Sequence, residues 1–324
     1  MTKEAIGGYL ELELPSSRGE FYPDAQRFQS ARAAFLALLL AGKPRRVWIP
    51  WYICSSMIET LKLAGVSFTR YAVDNGLGIK DNITLESGEW FLFVNYFGVC
   101  STNVDRVLDS FPRNQVIIDN SQAFFSPPSE ALATIYSPRK FFGVPDGGYL
   151  FTDLPIPEPD EEDEGSIRRC AHLLKRLSGA PEAGYADFGV AEESLTRQFP
   201  KRMSLLTRRL LSTIDYGAIQ VRRSSNFATL HDKLRDSNRF SFRLERDEAP
   251  MCYPFFGVSE GTRSNLIASR IFVPTYWPDV ILDQNAPQFE RTFARDCLHL
   301  PCDQRNEKSD QLRVLATLTE VTVD

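Results

Sequence analysis

Apolar and polar positions in the first half of the chain fall into short blocks of two kinds that alternate. Residues 32–41 (RAAFLALLLA) are apolar almost throughout and read as a buried helix. Residues 47–49 read as a short strand ending at Pro50, and 55–64 as a helix stopped by Gly65. The next strand is predicted at 67–73. Residues 90–95 (WFLFVN) form an apolar run of the kind found in a parallel strand covered on both faces. A short helix at 104–110 and another buried strand at 115–119 follow. Strand and helix alternating in this way predict an α/β fold: three layers, α/β/α, around a mostly parallel sheet.

The pattern breaks at 155–165 (PIPEPDEEDEG), which is Pro-rich, then acidic, and reads as a solvated loop. Helical stretches are expected at 166–177 and 205–234, the second long enough to link two domains. The last part carries a strand-like run at 268–273 and a closing helix near 308–318. The expected division is a large domain, 1–220, and a small α+β domain, 221–324.

Composition narrows the function classes. The 324 residues are 43% hydrophobic and 24% charged, as in ordinary globular proteins, which argues against wholesale disorder. A formal net charge of −5 gives no general attraction for nucleic acid or anionic lipid. Any phosphate site must therefore be local. The longest apolar run, 33–41, is far short of the ~20 residues of a membrane span. No basic-then-apolar leader opens the sequence, so a cytoplasmic protein without a membrane partner is expected. Six cysteines form no C-x-x-C pair, and there are only three histidines, so no metal site is expected. No G-x-G-x-x-G follows a strand and no P-loop occurs, which argues against a Rossmann-type nucleotide binder.

Four stretches carry candidate chemistry. In Tyr136-Ser-Pro-Arg-Lys-Phe-Phe-Gly-Val-Pro-Asp-Gly-Gly148, Lys140 stands among aromatics and glycines, with Ser137 three residues before it. Desolvation there would favour the neutral amine, a nucleophile toward a carbonyl carbon. Gly143, Gly147 and Gly148 would let the backbone approach a flat cofactor. The alternative is a surface turn with an ordinary lysine. In Val116-Ile-Ile-Asp-Asn-Ser-Gln-Ala123, Asp119 ends an apolar strand, at the sheet edge where open α/β sheets bind ligands. A carboxylate there suits a pyridinium N–H, although a turn or helix-cap aspartate has the same look. Gln29-Ser-Ala-Arg-Ala-Ala34 opens an apolar helix, so its free amides, with Ser30 and Arg32, suit an anion or are plain capping. Trp51 and Tyr52 follow a strand end and would either stack on a flat ring or fill the core.

Taken in order and spacing, these residues resemble the DegT/DnrJ/EryC1/StrS family, the sugar aminotransferase-like branch of fold type I enzymes dependent on pyridoxal phosphate (PLP). The resemblance runs from Ile6 to about Asp153 and resumes at Arg202-Met-Ser204 and Leu300-Pro301. The family's lysine, with an acidic residue and Gly-Gly behind it, falls on Lys140, Asp146, Gly147 and Gly148. Its Asp-x-x-(His or Gln)-Ala falls on Asp119, Gln122 and Ala123, and its small-residue helix start on Ser30, Ala31 and Arg32. Departures are Ile135 where many members have a phosphate-binding Ser or Thr, with Thr134 or Ser137 as substitutes, and Pro200 where many have Asn.

The resemblance implies PLP held by Lys140 and Asp119, with Gln122, Ser30, Ala31, Arg32, Tyr52 and Ser137 around it. It further implies amino transfer from an amino-acid donor, glutamate by expectation, to a nucleotide-linked keto-deoxysugar for polysaccharide or glycosylated-metabolite synthesis. A homodimer is implied, with Trp51 and Phe255 as interface candidates. The competing readings are a PLP-dependent sugar dehydratase or epimerase on the same fold, and a non-catalytic or regulatory homologue.

Overall fold

The computed structural model describes residues 6–242, 248–257 and 261–320. Seven strands make one sheet: β1 (Gln26–Phe28), β2 (Arg46–Pro50), β3 (Ser67–Tyr71), β4 (Glu89–Val94), β5 (Val116–Asp119), β6 (Ala133–Tyr136) and β7 (Gly148–Phe151). Their spatial order is β1-β7-β6-β5-β4-β2-β3. Strands β2 to β6 run parallel, and β7 is antiparallel to both its neighbours. Every residue of β4, β5 and β6 is buried, as a sheet covered on both faces requires.

Helices α1 (Ala31–Gly42), α2 (Ser55–Leu63) and α3 (Ser101–Ser110) connect the early strands. Ser30 caps α1 by accepting the Ala33 N–H, and Lys43 closes it in the left-handed conformation. Between them Ala33 to Leu39 are buried, so α1 is the inner helix that its apolar sequence predicts. Next come α4 (Ser166–Arg169), α5 (Ala171–Ser178), α6 (Tyr185–Glu193), α7 (Leu205–Ser212) and α8 (Tyr216–Leu234). The final part has β8 (Tyr253–Phe255) paired antiparallel with β9 (Leu298–Leu300), and helices α9 (Thr262–Ala268), α10 (Asp279–Leu282), α11 (Gln288–Asp296) and α12 (Lys308–Glu320).

The α/β architecture matches the expectation, but three details differ. The helix expected over 205–234 is two helices, because Asp215 accepts the Ala218 N–H and starts α8 afresh. The helix expected over 166–177 is likewise α4 and α5, with Cys170 ending one and opening the other. Residues 268–273 form no strand. Ala268 ends α9, Arg270 turns back in the left-handed region, and Ile271 and Val273 face the core without a strand partner. Their alternation is that of an extended segment, not of a sheet. The expected domain boundary at 220 falls inside α8, and one apolar cluster runs from Tyr22 to Leu318.

Candidate active site

Asp119 is the last residue of β5, 6% exposed, beside Val94 of β4 and Ile135 of β6. The chain turns at once: Asn120 N–H donates to Ile135 O, and Asp119 Oδ1 accepts the Ser121 N–H at 2.9 Å. One carboxylate oxygen thus does the turn work expected of such an aspartate. The other has no protein partner among the described residues. Gln122, on the same turn, accepts the Phe97 N–H with Oε1 at 3.1 Å, while its Nε2 is buried without a partner. A buried donor left open is costly unless a ligand or water meets it. Phe97 itself sits at φ 58, a strained conformation pinned by that bond and by the Met251 N–H on its carbonyl.

Lys140 ends a tight 3-10 turn, Pro138–Lys140, that follows β6. Asp119 and Lys140 therefore leave the same edge of the sheet from adjacent strands. Ser137 starts the turn, is 7% exposed, and its carbonyl accepts the Lys140 N–H. The expected desolvated pocket around Lys140 is not formed by its neighbours. Lys140 is exposed, and Phe141 and Phe142 turn inward against Phe124, Phe125 and Tyr216. Arg223, itself buried, lies 4.5 Å over the Phe141 ring, and Gln304 Nε2 donates to Phe141 O at 2.8 Å. The far side of the turn is thereby fixed to the C-terminal part of the chain.

The acidic residue and the two glycines have structural work. Asp146 is fully buried and accepts from Ser204 N, Ser204 Oγ and Thr207 Oγ1, which ties the loop to the start of α7. Burial pushes its carboxyl up to about 7, helped by Asp163 and opposed by the Ser204 donors and Arg169. Gly147 adopts φ 124 and donates to Gln29 O at 2.8 Å. A Cβ on Gly148 would stand under 3.0 Å from the backbone of Ser30 and Ala31. The glycines let β7 lie against the start of α1. Gly143 has an ordinary neighbour, the Leu173 side chain at 3.6 Å.

At the start of α1, Ser30 Oγ is used by the Ala33 N–H, Ser30 pairs with Gly147 in an isolated parallel bridge that engages the Ala31 amide, and the Arg32 amide has no intrahelical acceptor. Arg32 donates to Glu192 Oε2 at 3.1 Å, and Arg139 Nη2 donates to Glu192 Oε1. Burial works to raise the Glu192 pKa, but Arg139, Arg32 and Lys140 outweigh it and hold the carboxylate below its usual range. Lys140 is thus within electrostatic reach of this cluster. Neither Arg139 nor Glu192 stood out in the sequence. Arg139 had only its place beside Lys140 to mark it, and Glu192 had no signal.

Other expected site residues lie elsewhere. Tyr52 is fully buried, parallel to Tyr96 at 5.5 Å and edge-on to Trp277 at 4.4 Å and Phe293 at 5.4 Å. Protein rings surround it, so no face is open to a cofactor. Trp51 lies under the Arg70 guanidinium at 4.4 Å, and Phe255 is 6% exposed in β8. Neither is a free apolar surface. Among the described residues, exposed large apolar side chains lie in the segment Ile6, Tyr9, Leu10 and Leu12, and again from α4 to the segment after α6, at Ile167, Leu174, Leu177, Tyr185, Val190 and Phe199. Thr134 Oγ1 is taken by the Ser129 N–H and Ile135 is in the core, so of the two hydroxyls expected near the turn only Ser137 is without a partner among the described residues. A cleft of about 420 Å3 lined by Asp163, Arg168, Asp187, Val190, Ser194 and Lys201 includes none of the expected residues. Among the described residues no helix is long and apolar enough to cross a membrane.

No family model matches the chain, and no curated protein is similar to it. Solved structures are. A DegT DnrJ EryC1 StrS aminotransferase from Brucella abortus is 14% identical, with 91% of this chain and 85% of that one covered and a TM-score of 0.60. Helicobacter pylori PseC, an aminotransferase involved in the biosynthesis of pseudoaminic acid, is 15% identical over 92% and 86%, also at 0.60. NtdA from Bacillus subtilis, solved with bound cofactor PMP, is 17% identical over 93% and 73%, at 0.64. The chain shares the fold of these proteins.

Proposed function

We propose that this chain is a PLP-dependent aminotransferase whose site is the sheet edge between Asp119 and Lys140. The observation that carries the reading is the pair of unspent groups on the β5 turn: a carboxylate oxygen of Asp119 and the buried Nε2 of Gln122. Both stand at the C-terminal edge of a parallel sheet, one strand away from an exposed lysine with no partner among the described residues. An acceptor, a donor and an amine at such an edge fit a pyridine ring with a ring nitrogen, a hydroxyl and an aldehyde.

When bound, PLP supplies a carbonyl carbon for an amine and a ring that accepts electron density. Asp119 would hold the proton on the pyridine nitrogen. Gln122 Nε2 would donate to a ring oxygen. Ser137 Oγ and the Arg32 amide would face the phosphate. Lys140 Nζ would move a proton from the α-carbon of the amino donor, as base and then as acid. We propose glutamate as donor and a nucleotide-linked keto-deoxysugar as acceptor. The similarity to PseC, an aminotransferase involved in the biosynthesis of pseudoaminic acid, supports that choice. We also propose a homodimer, with the apolar face of α4 to α6 as the surface that supports it.

A specific observation favours a second reading, a non-catalytic homologue: Arg32 and Arg139 are already paired with the carboxylate of Glu192. The test is spectroscopic and chemical. Protein incubated with PLP should turn yellow, and glutamate should bleach it with release of 2-oxoglutarate. Lys140→Ala should do neither. A Lys140→Ala variant that keeps both responses refutes the role given to Lys140, and bleaching without 2-oxoglutarate points to a different reaction.

A further inference from the structure

Two guanidiniums meet on one carboxylate beside the turn that carries Lys140. Arg32 comes from the first turn of α1 and Arg139 from the turn that ends in Lys140. Each takes one oxygen of the Glu192 carboxylate, which hangs from the last turn of α6. A carboxylate forked between two arginines has the charge and planar acceptor geometry of two phosphate oxygens. It is an incomplete substitute, because Arg139 Nε stays buried without a partner among the described residues. A phosphate monoester, with three free oxygens, offers the acceptor that Glu192 lacks.

We propose that Glu192 is an internal stand-in for a phosphate monoester, and that a phosphate-bearing ligand enters the cradle of Arg32 and Arg139 only by displacing it. The proposal rests on the PLP reading for the identity of that ligand. The exchange itself concerns only groups of this chain. The cradle is built for such an exchange. The Glu192 side chain is 36% exposed against 11% for Arg139, so the acid is the member nearest water. Helix α6 buries only Ala191 of its nine residues, and Tyr185 and Val190 lie largely in solvent. A helix with so little buried surface shifts at low cost. The free protein therefore keeps its cradle partly neutralised and shielded, and displacing Glu192 makes ligand binding weaker.

Calorimetric titration of the full chain at fixed ionic strength tests this, with inorganic phosphate, PLP and pyridoxal (which lacks the phosphate) as probes. Glu192→Gln removes the charge and keeps the shape. It should bind phosphate and PLP about tenfold more tightly than wild type, the equivalent of two part-exposed ion pairs. Pyridoxal should bind both proteins equally. Glu192→Asp, too short to span both arginines, should show a smaller gain and guards against a folding defect in the first variant. Arg139→Gln in the Glu192→Gln background should erase the gain. Equal phosphate affinity in wild type and both Glu192 variants overturns the proposal, as does a pyridoxal gain equal to that of PLP. The two readings fail separately. A phosphate gain without any PLP bound at Lys140 sinks the cofactor assignment alone, and PLP bound at Lys140 with no Glu192 effect sinks the stand-in alone.

Discussion

Replacing Gly148 by alanine tests whether the Gly-Gly pair serves the protein's own packing. The added Cβ would lie under 3.0 Å from the carbonyl carbon and oxygen of Ser30 and the nitrogen of Ala31. Ordinary contacts begin near 3.4 Å, and all three atoms are backbone, so no side chain can swing aside. Either β7 or the start of α1 must move, and β7 is held between β1 and β6. Overpacking of this kind costs about 1–3 kcal/mol, and rigid backbone neighbours put this site at about 3. With an unfolding entropy of about 2.1 cal/mol/K per residue, a single cooperative transition of this length would drop in Tm by roughly 4 °C. Urea unfolding followed by far-UV circular dichroism measures the cost directly. Gly143→Ala is the control, since its new methyl meets only Leu173 Cδ2 at 3.6 Å and should change stability by less than about 0.5 kcal/mol. If Gly148→Ala matches the control, β7 does not lie against α1 as described.

Three further outcomes are expected. Asp146→Ala strands the Ser204 N–H and the hydroxyls of Ser204 and Thr207, and should cost about 2–4 kcal/mol in urea unfolding; a loss under ~1 kcal/mol would contradict the anchor role. The same carboxyl sets a pH dependence: its folded pKa of about 7 lies above the ordinary 3.8, so the folded state binds more protons in between. Its contribution to stability is fully present below about pH 4 and is lost as pH rises through about 7, a slope that Asp146→Asn should remove and whose persistence in that variant would refute the assignment. Tyr52→Phe deletes a buried hydroxyl without a partner and should leave stability unchanged or raised by up to ~1 kcal/mol, with PLP uptake unaltered; weaker PLP uptake would return Tyr52 to the site.

The parallel sheet was legible because its central strands are covered on both faces, and so appear as unbroken apolar runs such as 90–95 and 116–118. Strands β6 (ATIY) and β7 (GYLF) lack that signal, because Thr134 and Gly148 leave no unbroken apolar run. The same limit produced the false strand at 268–273, where alternation reports burial of Ile271 and Val273 but says nothing about pairing. Asp119 was found because a charge at the end of an apolar strand is conspicuous. Arg139 and Glu192 were not, because an ion pair between residues 53 positions apart leaves no local trace. The environment of Lys140 was misjudged for a related reason: neighbours in sequence, Phe141 and Phe142, point away from it in space.

Borohydride reduction of the protein with PLP, followed by peptide mapping in a mass spectrometer, asks where the aldehyde attaches. The account requires one predominant mass increment on the peptide bearing Lys140, reduced in amount when Asp119 is replaced by alanine. Labelling spread over exposed lysines such as Lys62 and Lys233, with no preference for position 140, would leave the fold standing and remove the enzyme from it.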